Sequence, residues 1–242
     1  MKKKICIVLP CFKVKNNILK VYNKLKKIKV DCLIFVDDNC PQKSVYFLKS
    51  KIKKDKNVKF LFLKKNLGVG GATLKGIFLA YNQGFDIIIK FDSDNQHKTS
   101  DLLKIINILL KNHVDFCKGY RSLSFNDSLK RKMPLIRIIG ANALTYLSNI
   151  TTGNFKTKDV TNGLFGFKKK ILKKVNLTKL KSNYFFEQDL IFRLSQHKIK
   201  IHQIKSEVIY KDEISSLNTL NSIIPFLFYH FQNLLNRFKI NT

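Results

Sequence analysis

The chain has 242 residues, 45% of them hydrophobic and 20 of them Phe, which is enough apolar material for one large α/β domain and argues against a disordered chain. Lys and Arg number 46 against 16 Asp and Glu, a formal net charge of +30. That balance fits nucleic acid, an anionic membrane surface or phosphorylated substrates, or a lysine-rich compositional habit. The five cysteines are odd in number and form no Cys-x-x-Cys, so they argue against a disulfide framework or thiolate metal centre and fit a reducing cytosol.

Ile5–Leu9 is a continuous apolar run, as expected of a strand covered on both faces, and Pro10 ends it. The run is too short for a signal peptide, and no apolar stretch approaches a membrane span. Asn16–Ile28 carries Ile18, Leu19, Tyr22 and Leu25 at helical spacing. Cys32–Val36 is a second buried strand and ends in Asp37-Asp38-Asn39. Ser44–Lys51 is predicted helical, and Val58–Leu63 is a third strand. The glycine segment Asn66–Gly71 follows. It matches neither the dinucleotide-binding nor the P-loop pattern, and is either a plain strand-to-helix turn or a close backbone approach to a ligand. A helix with Leu74, Ile77, Phe78 and Tyr81 follows it and stops at Gly84.

Asp86–Ile89 is the fourth strand, and Asp92, Asp94 and Gln96 follow it at a spacing of two. If the backbone stays extended, all three leave on one face and form an all-oxygen site suited to Mg²⁺ or Mn²⁺. An isolated Asp-x-Asp is more often a solvated loop. The added Gln and the strand context reverse that, because Pro10, Asp37-Asp38 and Asp92–Gln96 all fall at strand ends, where doubly wound sheets bind ligands. A metal there would serve the departure of a phosphate or diphosphate.

Leu102–Leu110 is another helical stripe, and Val114–Lys118 a strand leading to Gly119-Tyr120-Arg121. Ser122–Met133 is predicted as a basic loop, Ile136–Leu147 as a helix, Leu164–Phe167 as an apolar run and Ile171–Val175 as a short helix. In Tyr184–Leu194 a helix would put Phe186, Asp189, Leu190 and Arg193 on one face, where Asp189 is either a structural partner for Arg193, the favoured reading on local evidence, or a functional group. Ile199–Ile204 and Glu207–Tyr210 are strand candidates. The stretch Ser222–Ile240 reads as an amphipathic helix, either lying in a membrane interface or packed on the core. The resulting expectation is a doubly wound, mostly parallel α/β sheet with helices on both faces, spanning residues 1–220, and a helical tail over 221–242.

The ordered motifs resemble the inverting family 2 glycosyltransferases of GT-A fold, closest to the dolichyl- and polyprenyl-phosphate sugar synthases. They are Leu9-Pro10-Cys11-Phe12, Val36-Asp37-Asp38-Asn39, Asn66-Leu67-Gly68-Val69-Gly70-Gly71-Ala72, Asp92-Ser93-Asp94-Asn95-Gln96-His97, Gly119-Tyr120-Arg121, Asp159–Gly163 and Phe186–Arg193. The resemblance implies that Pro10, Phe12, Asp37, Asp38 and Gly70 hold the donor nucleotide. Asp92 would contact the nucleotide, and Asp92, Asp94 and Gln96 the metal. Arg121 and Arg131 would bind diphosphate or an acceptor phosphate, and Asn162 and Gly163 would lie on the acceptor side. Asp189 or Glu187 would be the acceptor-side acid: a base for a hydroxyl acceptor, an orienting group for a phosphate.

Departures are Lys13-Val14 where the family has Asn-Glu, and Glu213-Ile214-Ser215-Ser216-Leu217, which lacks the Lys of the synthases' Ser-Lys pair. The expected partners are a nucleotide diphosphate sugar, a lipid-linked or glycan acceptor and an anionic membrane surface at the cytoplasmic face, with no nucleic acid. The rival readings are a nucleotidyltransferase, a basic nucleic-acid-binding protein and an inactive transferase homologue.

Overall fold

The structure is a computed structural model that describes residues 2–111, 113–122, 124, 126, 134–154, 156–208 and 219–240, with side chains over 224–236 in the last range. Strand β1 (Ile5–Cys11) is followed by α1 (Lys15–Leu25), β2 (Cys32–Asp37), α2 (Ser44–Lys51) and β3 (Val58–Phe62). Next come α3 (Gly68–Asn82), β4 (Ile87–Lys90), α4 (Thr99–Leu110) and β5 (Phe116–Tyr120). The second half adds α5 (Leu135–Thr152), β6 (Phe165–Lys168), α6 (Phe186–Gln196), β7 (Ile201–Lys205) and α7 (Thr219–Ile240). Lys169–Lys173, which overlaps the short helix predicted over Ile171–Val175, is a 3-10 turn.

The strands form one sheet in the order β3-β2-β1-β4-β6-β5-β7. All pairings are parallel except the two made by β6. Alternation along β1 sorts its side chains between two cores. Ile5, Ile7, Leu9 and Cys11 face Ile18, Leu25, Val45, Leu102 and Leu109 of α1, α2 and α4. Cys6 and Val8 face Ala72, Ile77, Phe186 and Leu190 of α3 and α6. Both faces are covered, so β1 and β2 are apolar throughout rather than alternating.

Three expectations are corrected. Pro10 does not end β1 but lies inside it, opposite Val36. Its lost N–H costs nothing because β4 has already ended at Lys90, opposite Val8. On that side the Pro10 carbonyl instead accepts the Ser93 hydroxyl at 2.5 Å. The glycine segment is not a turn ahead of a helix, because α3 begins at Gly68, and the Gly71 N–H donates to the Ser182 carbonyl at 2.7 Å. The backbone after β4 does not stay extended: Asn95 has φ +68°, and the Gln96 N–H returns to Asp94 Oδ1 at 3.0 Å.

Helix α7 buries Phe226 and Tyr229 with Phe185 and the partly buried Tyr184 and Leu144. No helix among the described residues is long and apolar enough to cross a membrane.

A methyl group at Gly76 would collide with Val8 Cγ1 and lie 2.9 Å from Val36 Cγ2. Both neighbours are β-branched and fixed in the sheet, so crowding outweighs the helix propensity Ala gains. Gly76→Ala is expected to lower stability by about 1–2 kcal/mol in urea unfolding.

Candidate active site

A cleft of 650 Å³ opens at the carboxyl ends of β1, β2 and β4. Pro10, Phe12 and Asp38 line one side, Asp92 and Asp94 another, and Asn66 and Gly68 a third. Asn183 and Tyr184, just before α6, close it. Asp38 is buried and accepts the Leu67 N–H on Oδ1 at 2.7 Å, while its carbonyl takes the Asn66 amide at 3.2 Å. Burial pushes its carboxyl up despite those bonds. Asp37 does not line the cleft. Its carboxylate accepts N–H groups of Cys40 at 2.8 Å and Val45 at 3.4 Å and so shapes the turn beneath.

Gly70 also lies outside the lining. A Cβ there would stand 2.6 Å from the Ser182 carbonyl and 2.7 Å from Phe186 Cβ. The close backbone approach this glycine allows is to the protein's own 182–186 segment.

The cleft floor is built on a buried ammonium. Lys90 Nζ lies 2.6 Å from Asp92 Oδ1 and 3.4 Å from Glu187 Oε1, and the lysine is 2% exposed. His97 Nε2 meets the other Asp92 oxygen at 3.1 Å. Burial would raise the Asp92 carboxyl, but Lys90 and His97 outweigh it and hold that group well below the usual carboxylate range. A side chain at position 163 would collide with Lys90 Nζ and come within 2.6 Å of Asp92 Oδ2, so this arrangement requires Gly163.

Asp94 faces the cleft one turn on. Among the described residues no three His, Cys, Asp or Glu side chains converge on one point. Both Asp92 oxygens are paired with Lys90 and His97, so the Asp94 carboxylate is the hard oxygen donor this loop turns to the cleft. That fits a hard divalent cation whose shell is completed by substrate phosphate, the usual way Mg²⁺ is held.

Other predicted residues are engaged within the fold. Asp159 grips Arg121 by two parallel bonds, Nε to Oδ2 at 2.7 Å and Nη2 to Oδ1 at 2.8 Å, and also takes the Arg121 N–H at 2.8 Å. Thr161 Oγ1 accepts from the same guanidinium at 2.7 Å. Burial would raise Asp159, yet the Arg121 guanidinium holds its carboxyl well below the usual range. Lys118, beside it, donates to the carbonyls of Asp159 at 2.5 Å and Lys158 at 3.2 Å, and burial pushes its ammonium down to about 8.

Asn162 is a turn residue, accepting the Leu164 N–H at 2.9 Å and donating to Ser206 Oγ at 3.0 Å. Asp189 accepts from the Lys181 N–H at 3.0 Å, Arg193 Nε at 3.1 Å and the Tyr229 hydroxyl at 3.1 Å. Of the two candidate acids, Glu187 is the one tied to the cleft floor. Arg131 and Glu213–Leu217 lie outside the described residues.

Sequence reasoning passed over Lys90, Lys118 and the His97 contact. A lone Lys closing the run Ile87-Ile88-Ile89 was the available signal for the first.

A second cavity, of 510 Å³, is lined by Tyr120, Arg121, Lys158 and Lys205 on one side and by Asn142 and Thr145 of α5 on the other. Thr157 also lines it, is 3% exposed, and its hydroxyl has no hydrogen-bond partner among the described residues.

A mostly parallel sheet with its acids at the carboxyl ends and one reversed strand beside β4 is the GT-A fold. Crystal structures of Mycobacterium tuberculosis glucosyl-3-phosphoglycerate synthase share it. Its phosphoglyceric acid complex has a TM-score of 0.68 at 15% identity, covering 97% of this chain and 80% of that one. Its complex with Mn²⁺, UDP and glucosyl-3-phosphoglycerate has a TM-score of 0.65. The chain belongs to glycosyl transferase family 2, whose family model matches residues 6–175, and it is a glycosyltransferase. The UDP-N-acetylglucosamine–dolichyl-phosphate N-acetylglucosaminyltransferase of Methanococcus voltae is 27% identical over 240 residues, 94% of each chain. The undecaprenyl-phosphate mannosyltransferase of Micrococcus luteus is 22% identical over 165 residues, 68% of this chain and 66% of that one.

Two outcomes are expected. Lys90→Met leaves two carboxylates without their shared cation and should cost about 2 kcal/mol in urea unfolding, less than for a fully buried pair because Asp92 keeps some solvent access. The Asp159 carboxyl is depressed in the folded state, so its contribution is present above its unfolded value and is lost as pH falls toward the folded one. The stability gap between wild type and Asp159→Asn should therefore stay constant above about pH 5 and shrink steadily as pH falls below about 4.

Proposed function

We propose that this chain moves one sugar from a nucleotide diphosphate sugar to a polyprenyl phosphate at the cytoplasmic membrane face, inverting the anomeric carbon and using Mg²⁺ or Mn²⁺. The observation that carries the reading is that Asp38, Asp92, Asp94 and the Asn66–Gly68 segment share one 650 Å³ cleft. The named relatives that act on dolichyl and undecaprenyl phosphates support the acceptor class.

Asp38 and Asn66 sit where a nucleoside can be held, and Pro10 and Phe12 form an apolar wall beside them. Asp94 and Gln96, with Asp92, are the residues that would hold the cation. When bound, it would neutralise charge developing on the departing diphosphate.

An acceptor phosphate oxygen is already a nucleophile. It attacks the anomeric carbon from the face opposite the diphosphate, the new C–O bond forming as the old one breaks, and no proton has to be removed. Glu187 then serves to orient rather than to abstract: Lys90 ties it to Asp92 and so links the acceptor side to the donor side. Lys158 and Lys205 on the second cavity's wall, and the buried Thr157 hydroxyl, suit the acceptor phosphate. Arg121 also lines that wall, its guanidinium charge balanced by Asp159, so the lysines supply the positive charge there.

Calorimetric titration with UDP and GDP, with and without Mn²⁺, tests the donor side. Wild type is expected to bind one nucleotide in a Mn²⁺-dependent way, and Asp94→Ala to weaken that binding by roughly 30-fold or more. A folded wild-type protein that binds neither nucleotide would overturn the site assignment.

A further inference from the structure

Fifteen large hydrophobic side chains are exposed among the described residues, and nine of them sit on two helices, α5 and α7. On α5 they are Leu135, Ile136, Ile139 and Tyr146, with Ile139 at 65% and Tyr146 at 64% exposure. These positions recur at helical spacing, opposite the buried Ile138, Ala141, Ser148 and Asn149. On α7 they are Ile224, Leu227, Phe228, Phe231 and Leu235, again one stripe, opposite the buried Phe226, Tyr229, His230 and Asn233. The two helices pack on each other, with His230 Nδ1 of α7 3.3 Å from Thr151 Oγ1 of α5. Each therefore buries one face in the protein and turns an apolar face outward.

Charge and chemistry select what covers this surface. Neither helix contains an Asp or Glu, nor does any position from 134 to 158. Arg137 lies on α5, and the exposed Lys158 and Lys205 line the second cavity. That cavity shares a wall with the apolar stripe, because Asn142 and Thr145 of α5 line it. Cations and hydroxyls beside a broad apolar face match a phosphate headgroup beside hydrocarbon. Aromatic and aliphatic side chains on the outer face of an acid-free helix suit the headgroup boundary of an anionic bilayer.

We propose that the outward faces of α5 and α7 form one docking surface that seats the protein on an anionic membrane, with the second cavity at the lipid boundary. The surface deepens the lipid-linked acceptor reading and rests on it for its purpose. A long-chain acceptor would keep its tail in the bilayer while its phosphate enters the cavity that α5 walls.

The test is flotation of the full chain with vesicles of phosphatidylcholine alone or mixed equally with phosphatidylglycerol, at about 0.1 M and about 0.5 M salt. Wild type is expected to float with the anionic vesicles and less so at high salt. The double variant Phe228→Ser/Phe231→Ser is expected to lose roughly tenfold or more of that binding. Both side chains are exposed, so its melting temperature should stay near wild type. If it does not, Ile139→Ser/Tyr146→Ser on α5 gives the same readout.

No flotation of wild type, or flotation unchanged in both double variants, would overturn the proposal. So would a dimer by light scattering that the variants convert to monomer without vesicle binding, since a second copy would then be the occupant. Flotation uses neither donor nor acceptor. A protein that floats as expected but transfers no sugar to a short-chain isoprenyl phosphate in solution would sink the acceptor reading and leave the docking surface standing.

Discussion

A buried ammonium must be compensated, and Lys90 is compensated by the two carboxylates on which the active site turns. Asp92 comes from the loop after β4, and Glu187 from α6, 97 residues along the chain from the lysine. Their shared cation fixes the distance between the loop after β4 and helix α6. Gly163 follows from the same requirement, since any side chain there would occupy the space of Lys90 Nζ and Asp92 Oδ2. A second charge group, Asp159 with Arg121 and Lys118, braces the end of β5 in the same manner. The site is thus an alternation of buried cations and anions laid across the carboxyl edge of β4 and β5.

The sheet makes this possible through one irregularity. Strand β6 runs antiparallel between β4 and β5. The segment Asp159–Gly163 leads into β6, so it arrives at the edge where β4 and β5 terminate. A wholly parallel sheet would bring the start of that strand to the opposite edge, away from Lys90. Reversal of a single strand delivers Asp159 to Arg121 and Gly163 to Asp92.

Much of the framework was legible because burial on both faces leaves unbroken apolar runs. Cys32–Val36 and Val58–Leu63 fell within a residue of the strands, and Ser44–Lys51 coincides with α2. The cleft was legible as well, since Pro10, Asp38, Asp92 and Asp94 stand at strand ends that the topology gathers. Pairings between distant parts of the chain were not. Nothing near Arg121 announces that Asp159, 38 positions on, takes its guanidinium. Asp94 and Gln96 were aligned by extended spacing, but Asn95 in a left-handed conformation breaks that alternation. Gly70 looked like room for a ligand and is room for Ser182 and Phe186. Asp189 was offered both as a structural partner for Arg193 and, by resemblance, as an acceptor-side acid, and its oxygens are engaged by Arg193 and Tyr229.

The contacts of α7 bear on how the protein can be handled. The Tyr229 hydroxyl serves the buried Asp189, and His230, which burial keeps neutral by pushing its imidazole down to about 4, lies between Gln188 and Thr151. Trimming the chain ahead of Thr219 to obtain better-behaved material would strip away more than a greasy appendage. It would uncover the aromatic cluster around Phe185 and deprive an interior carboxylate of a donor, two positions from Glu187. Point replacement of the outward phenylalanines, which leaves those inward partners in place, is the gentler route to a soluble preparation.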